Sequence, residues 1–309
     1  MDKSADAQFR QGFILAAAAN FFWGLLPVYL KMAEFAQAAE VLAQRILWSI
    51  PCALIAVLAI SGARTGFAQI RAACTPKMLG MLTLSAAFIF INWGGYVWAA
   101  AHGRLMEASL AYFIAPMVQV AIGVFLFHEK TTPLQIVALA LATLGVGVQA
   151  VMLGTLPWLS LVMCASWCAY AAVRKIAVVP ASVGMLVETT ILVPPAAALL
   201  VWTASSAPLG FMQSTGHAAL LALAGPVTAI PLILFAFGAR RIPFSIIGLL
   251  QFIPPSMQFL LSLFYGEAFT PARAVSFSLI WLGLVFFSFD LFTQARRTRK
   301  AAVAAPAAS

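Results

Sequence analysis

The chain has 309 residues, of which 63% are hydrophobic and 9% are charged. Soluble domains carry about 25% charged residues, so this composition excludes an ordinary water-soluble fold. The formal net charge of +9 does not indicate a nucleic-acid partner, because the basic residues are spread over short polar connections between apolar stretches.

Uninterrupted apolar stretches of about 20 residues fill nearly the whole chain, and an α-helix of that length crosses a bilayer. Strands of a membrane β-barrel would instead alternate polar and apolar residues over about ten positions. The sequence therefore predicts an all-α integral membrane fold. Its ten predicted transmembrane helices are 12–31, 42–61, 78–99, 107–127, 134–152, 156–174, 182–203, 217–238, 244–265 and 275–293.

Polar segments flank the predicted spans at residues 1–11 and 295–309. The first segment is too short for a cleaved signal region, so we expect the first span to remain in the membrane. The second is basic and then alanine-rich, and we expect it to be disordered. If successive spans cross the membrane in opposite directions, fourteen of the 18 lysine and arginine residues lie on the same side of the membrane. The positive-inside rule then places both termini in the cytoplasm.

The second half of the chain echoes the first half. Four residues of the fourth span recur in the ninth with one common offset, as Phe113 and Phe252, Pro116 and Pro255, Gln119 and Gln258, Phe125 and Phe264. Because each half holds an odd number of spans, the two copies must point in opposite directions. We predict two inverted five-helix repeats, at 12–152 and 156–293, around a central cavity. Inverted repeats of this kind build secondary transporters, whose substrate site lies near the bilayer midplane.

Polar and aromatic residues recur at helical spacing within several predicted spans. Lipid offers no hydrogen-bond partner to an amide, so such a stripe faces other helices or water. We predict that the cavity is lined by Asn20, Trp23, Asn92, Tyr96, Tyr112, Gln119, Trp167, Tyr170, Gln251 and Gln258. The alternative is that these residues only join helices to one another.

Proline residues lie within several of the predicted spans, and among them are Pro27, Pro116 and Pro255. Proline removes a backbone hydrogen bond and permits a bend, so we predict helix kinks at these positions. Kinked helices suit a gate, and they also occur in static bundles.

Charged residues lie within several predicted spans, and two of them, Arg45 in the second and Glu188 in the seventh, are candidates for a functional role. Ionisable groups inside a membrane are functional candidates by default, so we predict a coupling or gating role for both. The alternative is a pair of static ion pairs. The candidate partners are Glu40 or Glu107 for Arg45, and Arg174 or Lys175 for Glu188.

Signatures of enzyme catalysis are missing from the sequence. It contains no nucleophile elbow, no nucleotide-binding glycine-rich loop and no His-Glu-x-x-His motif. Cys164 and Cys168 are four residues apart on one predicted helix, but no histidine or acid accompanies them, so we expect packing thiols. We predict a protein that is not an enzyme, with no cofactor and no metal site. A lipid-modifying membrane enzyme and a structural or regulatory membrane subunit are the alternatives.

Six local strings extend from the first span to the ninth. They are Asn20-Phe-Phe-Trp-Gly24, Glu40-Val-Leu-Ala-Gln-Arg45-Ile-Leu-Trp-Ser49, Met106-Glu-Ala-Ser-Leu-Ala-Tyr-Phe-Ile-Ala-Pro116, Val173-Arg-Lys175, Gly184-Met-Leu-Val-Glu-Thr189 and Phe264-Tyr-Gly-Glu267. These strings resemble the EamA group of the drug/metabolite transporter superfamily and, within it, the RarD subgroup. One departure is the residue before Pro116, which is apolar here where a subgroup sequence can carry a polar one.

This resemblance implies a permease of the bacterial inner (plasma) membrane, with the fifth and tenth spans at the periphery. It also brings the label chloramphenicol-sensitivity protein, which is attached to the subgroup without a settled natural substrate. We therefore predict a secondary transporter that moves a small polar or amphipathic metabolite or drug by alternating access. Its partners would be a small-molecule substrate and the lipid bilayer, and the protein would be a monomer or a homodimer.

Overall fold

The computed structural model describes residues 3–102, 104–153, 158–264 and 271–304. All the regular secondary structure in these ranges is helical, with one short 3-10 helix at Gly210–Met212. The α-helices are α1 Lys3–Gly24, α2 Leu26–Met32, α3 Ala38–Ser61, α4 Ala63–Ala73, α5 Pro76–Ala101, α6 Leu105–Phe125, α7 Pro133–Leu153, α8 Trp158–Ile176, α9 Ala181–Ile191, α10 Val193–Ser206, α11 Thr215–Ala222, α12 Ala224–Ala239, α13 Phe244–Leu250, α14 Ile253–Phe264 and α15 Pro271–Ala304.

Several helical segments are long and apolar enough to cross a membrane. Within the described residues there are five, at Ala7–Met32, Ala38–Ser61, Pro76–Ala99, Trp158–Ile176 and Thr215–Ala239. The bent pair α9 and α10 makes a sixth when it is counted as one span. Shorter apolar helices are Leu110–Phe125, Pro133–Val148, Phe244–Met257 and Ala274–Asp290. An all-helical, multi-pass membrane fold is thus confirmed, and the arrangement as ten spans in two inverted repeats stays a prediction.

Proline residues accompany most of the breaks between consecutive helices. Pro27 and Pro255 lie in the first turns of α2 and α14, directly after α1 and α13 have ended. Pro194 lies in the first turn of α10, which meets α9 at an angle of 47°. A first turn tolerates proline because its N–H groups have no partner within the helix. By contrast, α6 continues through Pro116.

The structure differs from the sequence-based expectations in two connecting or terminal segments. Helix α4 occupies most of the 62–77 connection, where no helix was predicted. Helix α15 continues as far as Ala304, through part of the 295–309 segment that we expected to be disordered. Alanine, arginine and lysine are good helix formers, so the basic tail extends the helix that precedes it.

Helices from the two halves of the chain pack directly on one another. Helix α1 packs on α12 and α5 on α8, and further contacts join α3 to α9, α6 to α13 and α7 to α15. In the predicted repeat α1 corresponds to α8, and α5 to α12. A rotation that exchanges the two repeats would therefore turn the contact between α1 and α12 into the contact between α8 and α5. The same rotation would map each of the contacts α3–α9, α6–α13 and α7–α15 onto itself. Two halves related by a two-fold axis would pack in this pattern.

Glycines let the helix backbones approach closely where they cross. A Cβ atom built at Gly248 of α13 would lie 2.6 Å from the carbonyl oxygen of Pro116 on α6. A Cβ at Gly238 of α12 would lie 2.8 Å from the carbonyl oxygen of Gly12 on α1. Small residues of this kind are typical of helix interfaces in membranes, where packing replaces the hydrophobic effect.

Cysteine labelling can test the inverted arrangement, because the 62–77 and 204–216 connections occupy equivalent places in the two predicted repeats. Arg64 and Ser205 are both exposed, and Cys74 would be replaced by serine to remove the exposed native thiol. In intact cells we expect a membrane-impermeant thiol reagent to label Ser205→Cys, and to label Arg64→Cys only after permeabilisation. Labelling of both positions from the same side would contradict inverted repeats.

Candidate functional site

A cavity lies between the two halves of the chain, and the empty space inside it and at its mouth, open solvent included, is about 1050 Å³. Residues from both halves form its wall. They are Asn20, Trp23, Leu26, Pro27, Leu30, Arg45, Asn92, Trp93, Tyr96, Tyr112, Trp167, Leu232, Gln251, Pro254 and Pro255. Seven of the ten residues predicted to line a cavity belong to this wall.

The other three predicted lining residues are placed differently. Gln119 and Tyr170 are buried, with 0% and 1% of their surface exposed, and both contact wall residues from behind. The side chain of Gln258 lies outside the described residues. Sequence reasoning missed Trp93, which also lines the cavity. Trp93 directly follows Asn92, a predicted lining residue, and this neighbour could have indicated it.

Aromatic rings close the deep end of the cavity. The rings of Trp23 and Trp167 meet edge to face with centroids 5.3 Å apart. Both rings also pack against Phe235, and Trp167 stacks on Tyr170 at 5.5 Å. Such contacts stabilise a cluster beyond its apolar burial. We call these four residues the aromatic floor.

An amide network fixes the wall just above this floor. The Oε1 atom of Gln251 accepts hydrogen bonds from Nε2 of Gln119 at 3.0 Å and from Nε1 of Trp167 at 2.9 Å. Within the described residues, Oε1 of Gln119 and Nε2 of Gln251 are buried without a hydrogen-bond partner. Unpaired buried polar atoms are uncommon in proteins and can mark a functional site.

The two asparagines of the wall each use one hydrogen bond to hold their position. Asn20 donates through Nδ2 to the carbonyl oxygen of Ala16 at 2.8 Å, within its own helix. Asn92 donates through Nδ2 to the carbonyl oxygen of Met163 at 2.8 Å and so ties α5 to α8. Oδ1 of Asn20 is buried and has no partner among the described residues.

Arg45 projects into the cavity from α3. Its Nε atom donates to Oγ1 of Thr228 at 2.9 Å, and its guanidinium lies over the ring of Trp93 at 4.9 Å. Within the described residues no carboxylate lies close enough to Arg45 to form an ion pair. Arg45 therefore forms no ion pair with Glu40, and the side chain of Glu107 lies outside the described residues.

Glu40 is used instead to cap the short 3-10 helix. Its two carboxylate oxygens accept hydrogen bonds at 2.9 Å from the backbone N–H groups of Gly210 and Phe211. A carboxylate at the start of a helix satisfies donors that have no partner within the helix. This cap explains why the predicted pair of Arg45 with Glu40 is wrong.

Glu188 is buried and paired. One of its carboxylate oxygens lies 3.5 Å from Nη1 of Arg174 and accepts a hydrogen bond from Oγ of Ser85 at 2.6 Å. Arg174 also donates through Nη2 to the carbonyl oxygen of Ala181 at 3.2 Å. A Cβ atom at Gly184 would overlap the guanidinium, so this glycine makes the room for it. Of the two predicted partners, the structure pairs Glu188 with Arg174.

Lys175 forms a second ionic contact beside this pair. Its Nζ atom lies 3.8 Å from a carboxylate oxygen of Glu129 and donates to the carbonyl oxygen of Ile242 at 2.9 Å. Glu129 in turn accepts from the backbone N–H groups of Phe244 and Ser245, at 2.6 and 2.9 Å. One lysine and one glutamate thus hold together the ends of three helices, α6, α8 and α13. We call Ser85, Glu129, Arg174, Lys175 and Glu188 the charged layer.

The charged layer lies beyond the aromatic floor, on the side away from the cavity. Arg174 follows Trp167 by seven residues along α8, or about 10 Å of helix. Lys175 also donates to the carbonyl oxygen of Ala239 at the end of α12, whose Gly238 meets the N-terminal half of α1. The cavity wall instead uses residues from the other end of α1. Both layers therefore separate the cavity from the end of the bundle where the chain begins.

Arg240 lies just beyond the end of α12 at this same end of the bundle. Its Nη1 atom donates to the carbonyl oxygen of Val179 at 2.7 Å. Burial, and secondarily the nearby guanidinium of Arg174, lower the pKa of the Arg240 side chain from its ordinary value. In the part of the chain that the structure describes, no three histidine, cysteine or acidic residues are grouped so that they could hold a metal ion.

Known proteins resemble this chain over nearly its full length. Residues 10–150 match the EamA-like transporter family. The protein "Uncharacterized transporter YojE" of Bacillus subtilis (strain 168) is 37% identical over 285 residues, which cover 92% of this chain and 95% of that protein. Protein RarD of Escherichia coli (strain K12) is 38% identical over 295 residues, covering 95% and 99%. The "Chloramphenicol-sensitive protein RarD" of Pseudomonas aeruginosa is 32% identical over 293 residues, covering 93% and 98%.

A solved structure supports the fold as well. One crystal structure, described only as that of a protein, superposes with a TM-score of 0.70. The alignment covers 89% of this chain and 96% of the other, at 18% sequence identity. At that identity the likeness concerns the fold alone.

Two leucine substitutions can test the amide network. Gln251→Leu leaves two buried donors, on Gln119 and Trp167, without an acceptor, and each unsatisfied donor costs about 1–3 kcal/mol. Gln119→Leu removes one of the same hydrogen bonds and leaves the other intact. We expect Gln251→Leu to lower the melting temperature of the detergent-solubilised protein more than Gln119→Leu does. An equal or larger loss for Gln119→Leu would show that Gln251 is not the centre of the network.

Proposed function

Because the chain belongs to the EamA-like transporter family, together with the RarD proteins, we propose that it is a secondary transporter working by alternating access. Membership of this family makes it a membrane transporter in a lipid environment. The proposal adds that the cavity is the substrate site and that the substrate is a small polar or amphipathic metabolite or drug. It also places the protein in the bacterial inner (plasma) membrane with both termini in the cytoplasm.

The observation that carries this proposal is the unequal access to the cavity. The aromatic floor and the charged layer close it toward the end of the bundle where the chain begins, and part of its volume is open to solvent. A site that is sealed toward one side of the membrane is a feature of an end state of alternating access. With the predicted orientation, this state faces away from the cytoplasm.

The chemistry of the wall suits an amphipathic organic solute. Three amide side chains and two tyrosines supply hydrogen-bonding groups, and three tryptophan rings supply apolar faces. A bare metal ion would instead need several oxygen donors converging on one point.

The exchange of helix contacts between the two halves supports the second end state. If α1 and α12 swap roles with α8 and α5, the same cavity becomes closed where it is now open. The crossing of α1 and α12 at Gly12 and Gly238 would then have to open. Rocking of one repeat against the other accounts for such a change without unfolding any helix.

Counterflow in proteoliposomes tests the proposal. Purified protein would be reconstituted, and exchange would be measured for a panel of radiolabelled amines, amino acids and drugs that includes chloramphenicol. We expect saturable exchange of at least one panel member, with none in protein-free liposomes. Absence of saturable exchange for the whole panel would favour a structural or regulatory subunit.

A matched pair of tyrosine variants ties any flux to the cavity. Tyr112 lines the wall, whereas Tyr29 is absent from it and donates to the carbonyl oxygen of Leu220 at 3.2 Å. We expect Tyr112→Phe to raise the KM of exchange about two- to tenfold, the equivalent of one lost hydrogen bond. Tyr29→Phe removes the same atom and should leave KM unchanged. Equal effects of the two variants would place the substrate elsewhere.

A double-mutant cycle tests the charged layer as the seal of the closed end. Removing one partner of a buried ion pair leaves an uncompensated charge and costs about 3–5 kcal/mol. We expect Glu188→Gln and Arg174→Gln each to lower the melting temperature and the exchange rate, and the double variant to recover part of both. If the double variant is no better than either single variant, the pair does not form the seal. Loss of proton-driven uptake with intact exchange in Glu188→Gln would indicate proton coupling instead.

A further inference from the structure

Arg45 differs from every other residue of the cavity wall. Among the fifteen described residues that line the cavity, it is the one with a formal charge. Its guanidinium hydrogen-bonds through Nε alone, to Thr228. Neither Nη atom has a protein partner among the described residues, and neither is sealed from the cavity.

Among the described residues, none compensates the charge of Arg45. Its contacts are a threonine hydroxyl and the face of the Trp93 ring, and both groups are neutral. A ring face attracts a cation more weakly than a carboxylate does. Glu40, the acid nearest to Arg45 in sequence, accepts hydrogen bonds from the backbone N–H groups of Gly210 and Phe211. A charge that is partly withdrawn from water and lacks a counter-ion is costly, so the site favours a ligand that brings a negative charge.

The geometry of the side chain indicates which kind of anion fits. The two Nη atoms of an arginine form a planar fork that matches the two oxygens of a carboxylate. Tyr96 and Tyr112 line the same cavity, and a tyrosine hydroxyl can donate to an anion. One guanidinium balances the single charge of a carboxylate, whereas a phosphate group would bring up to two charges to one cation.

The rest of the wall accommodates an apolar body attached to this anion. The rings of Trp23, Trp93 and Trp167 and the side chains of Leu30 and Leu232 line the cavity beside Arg45. Flat aromatic faces pack well against another ring and offer no partner to a second charge.

We propose that the cavity binds an aromatic or similarly flat apolar carboxylate, and that Arg45 recognises its carboxylate group. This inference rests on the proposed function, since it names the substrate class of the same cavity. It assigns to Arg45 a contact with the ligand in place of a structural ion pair.

Three compounds of the same size and different charge form the first test. Phenylacetate, phenylacetamide and phenethylamine share one ring and differ in a carboxylate, a neutral amide and an ammonium group. Binding to the purified full-length protein would be followed by the fluorescence of its tryptophans, three of which line the cavity. We expect phenylacetate to bind about tenfold or more tightly than phenylacetamide, and phenethylamine to bind most weakly. This comparison needs no variant, so it stands even if a substitution at Arg45 impairs folding.

Variants then assign the preference to one residue. Arg45→Gln should bring the ratio of the two affinities, phenylacetate over phenylacetamide, close to one. Arg45→Lys keeps the charge without the planar fork and should give an intermediate ratio. Arg64→Gln removes an exposed arginine outside the cavity and should leave the ratio at its wild-type value.

Several results would overturn the proposal. They are equal binding of the three compounds, preference for the amine, or an unchanged preference for the carboxylate in Arg45→Gln. Tighter binding of phenyl phosphate than of phenylacetate would replace the carboxylate by a phosphate ester.

Counterflow with the same compounds separates this inference from the proposed function. Exchange of amines or neutral solutes without any exchange of carboxylates would refute the inference and leave transport standing. Binding of phenylacetate that depends on Arg45, with no exchange of any solute, would refute transport and leave the binding site standing.

Discussion

Polar groups inside a bilayer have no water to bind, and this one constraint organises the whole molecule. It makes every described element a helix, and it requires that buried side chains find partners inside the protein. Glu40 and Glu129 meet the requirement by accepting hydrogen bonds from backbone N–H groups at helix starts, and Lys175 meets it by donating to carbonyl groups where α12 ends. Most of the charged and amide side chains that the structure buries therefore join one helix to another, and they hold the helices at fixed separations.

Several of the groups that escape this rule lie around the cavity. Gln119, Gln251 and Asn20 each keep a buried polar atom without a partner, and Arg45 keeps two donors free among the described residues. A buried polar group without a hydrogen bond is energetically unfavourable, and a ligand that supplies the missing partner removes that cost. At the closed end the carboxylates of Glu129 and Glu188 are matched by N–H groups, a hydroxyl or a cation, whereas Nε and Nη1 of Arg174 are buried without a hydrogen-bond partner among the described residues.

Close packing provides the counterpart of these polar contacts. Glycines at the crossings of α1 with α12 and of α6 with α13 allow backbone contact with no side chain between the helices. Such crossings depend on shape and involve few hydrogen bonds, so they can slide or part at modest cost. At the closed end, ionic contacts stabilise the closed state, and glycine crossings allow the helices to separate.

The sequence alone determined the helical class, the membrane location and seven of the fifteen residues of the cavity wall, because apolar length and helical spacing are local properties of the chain. An amide or a tryptophan among apolar residues has to face other helices, whichever helices those are, and seven of the ten predicted lining residues do line the cavity. Only the tertiary structure decided the partners. Glu40 is close to Arg45 in sequence and yet bonds to Gly210, 170 residues away, while Thr228 and Trp93 surround Arg45. Hydrogen bonds and ion pairs act over a few ångströms, so which residues form them depends on how distant helices pack, and no local pattern in the sequence encodes that distance.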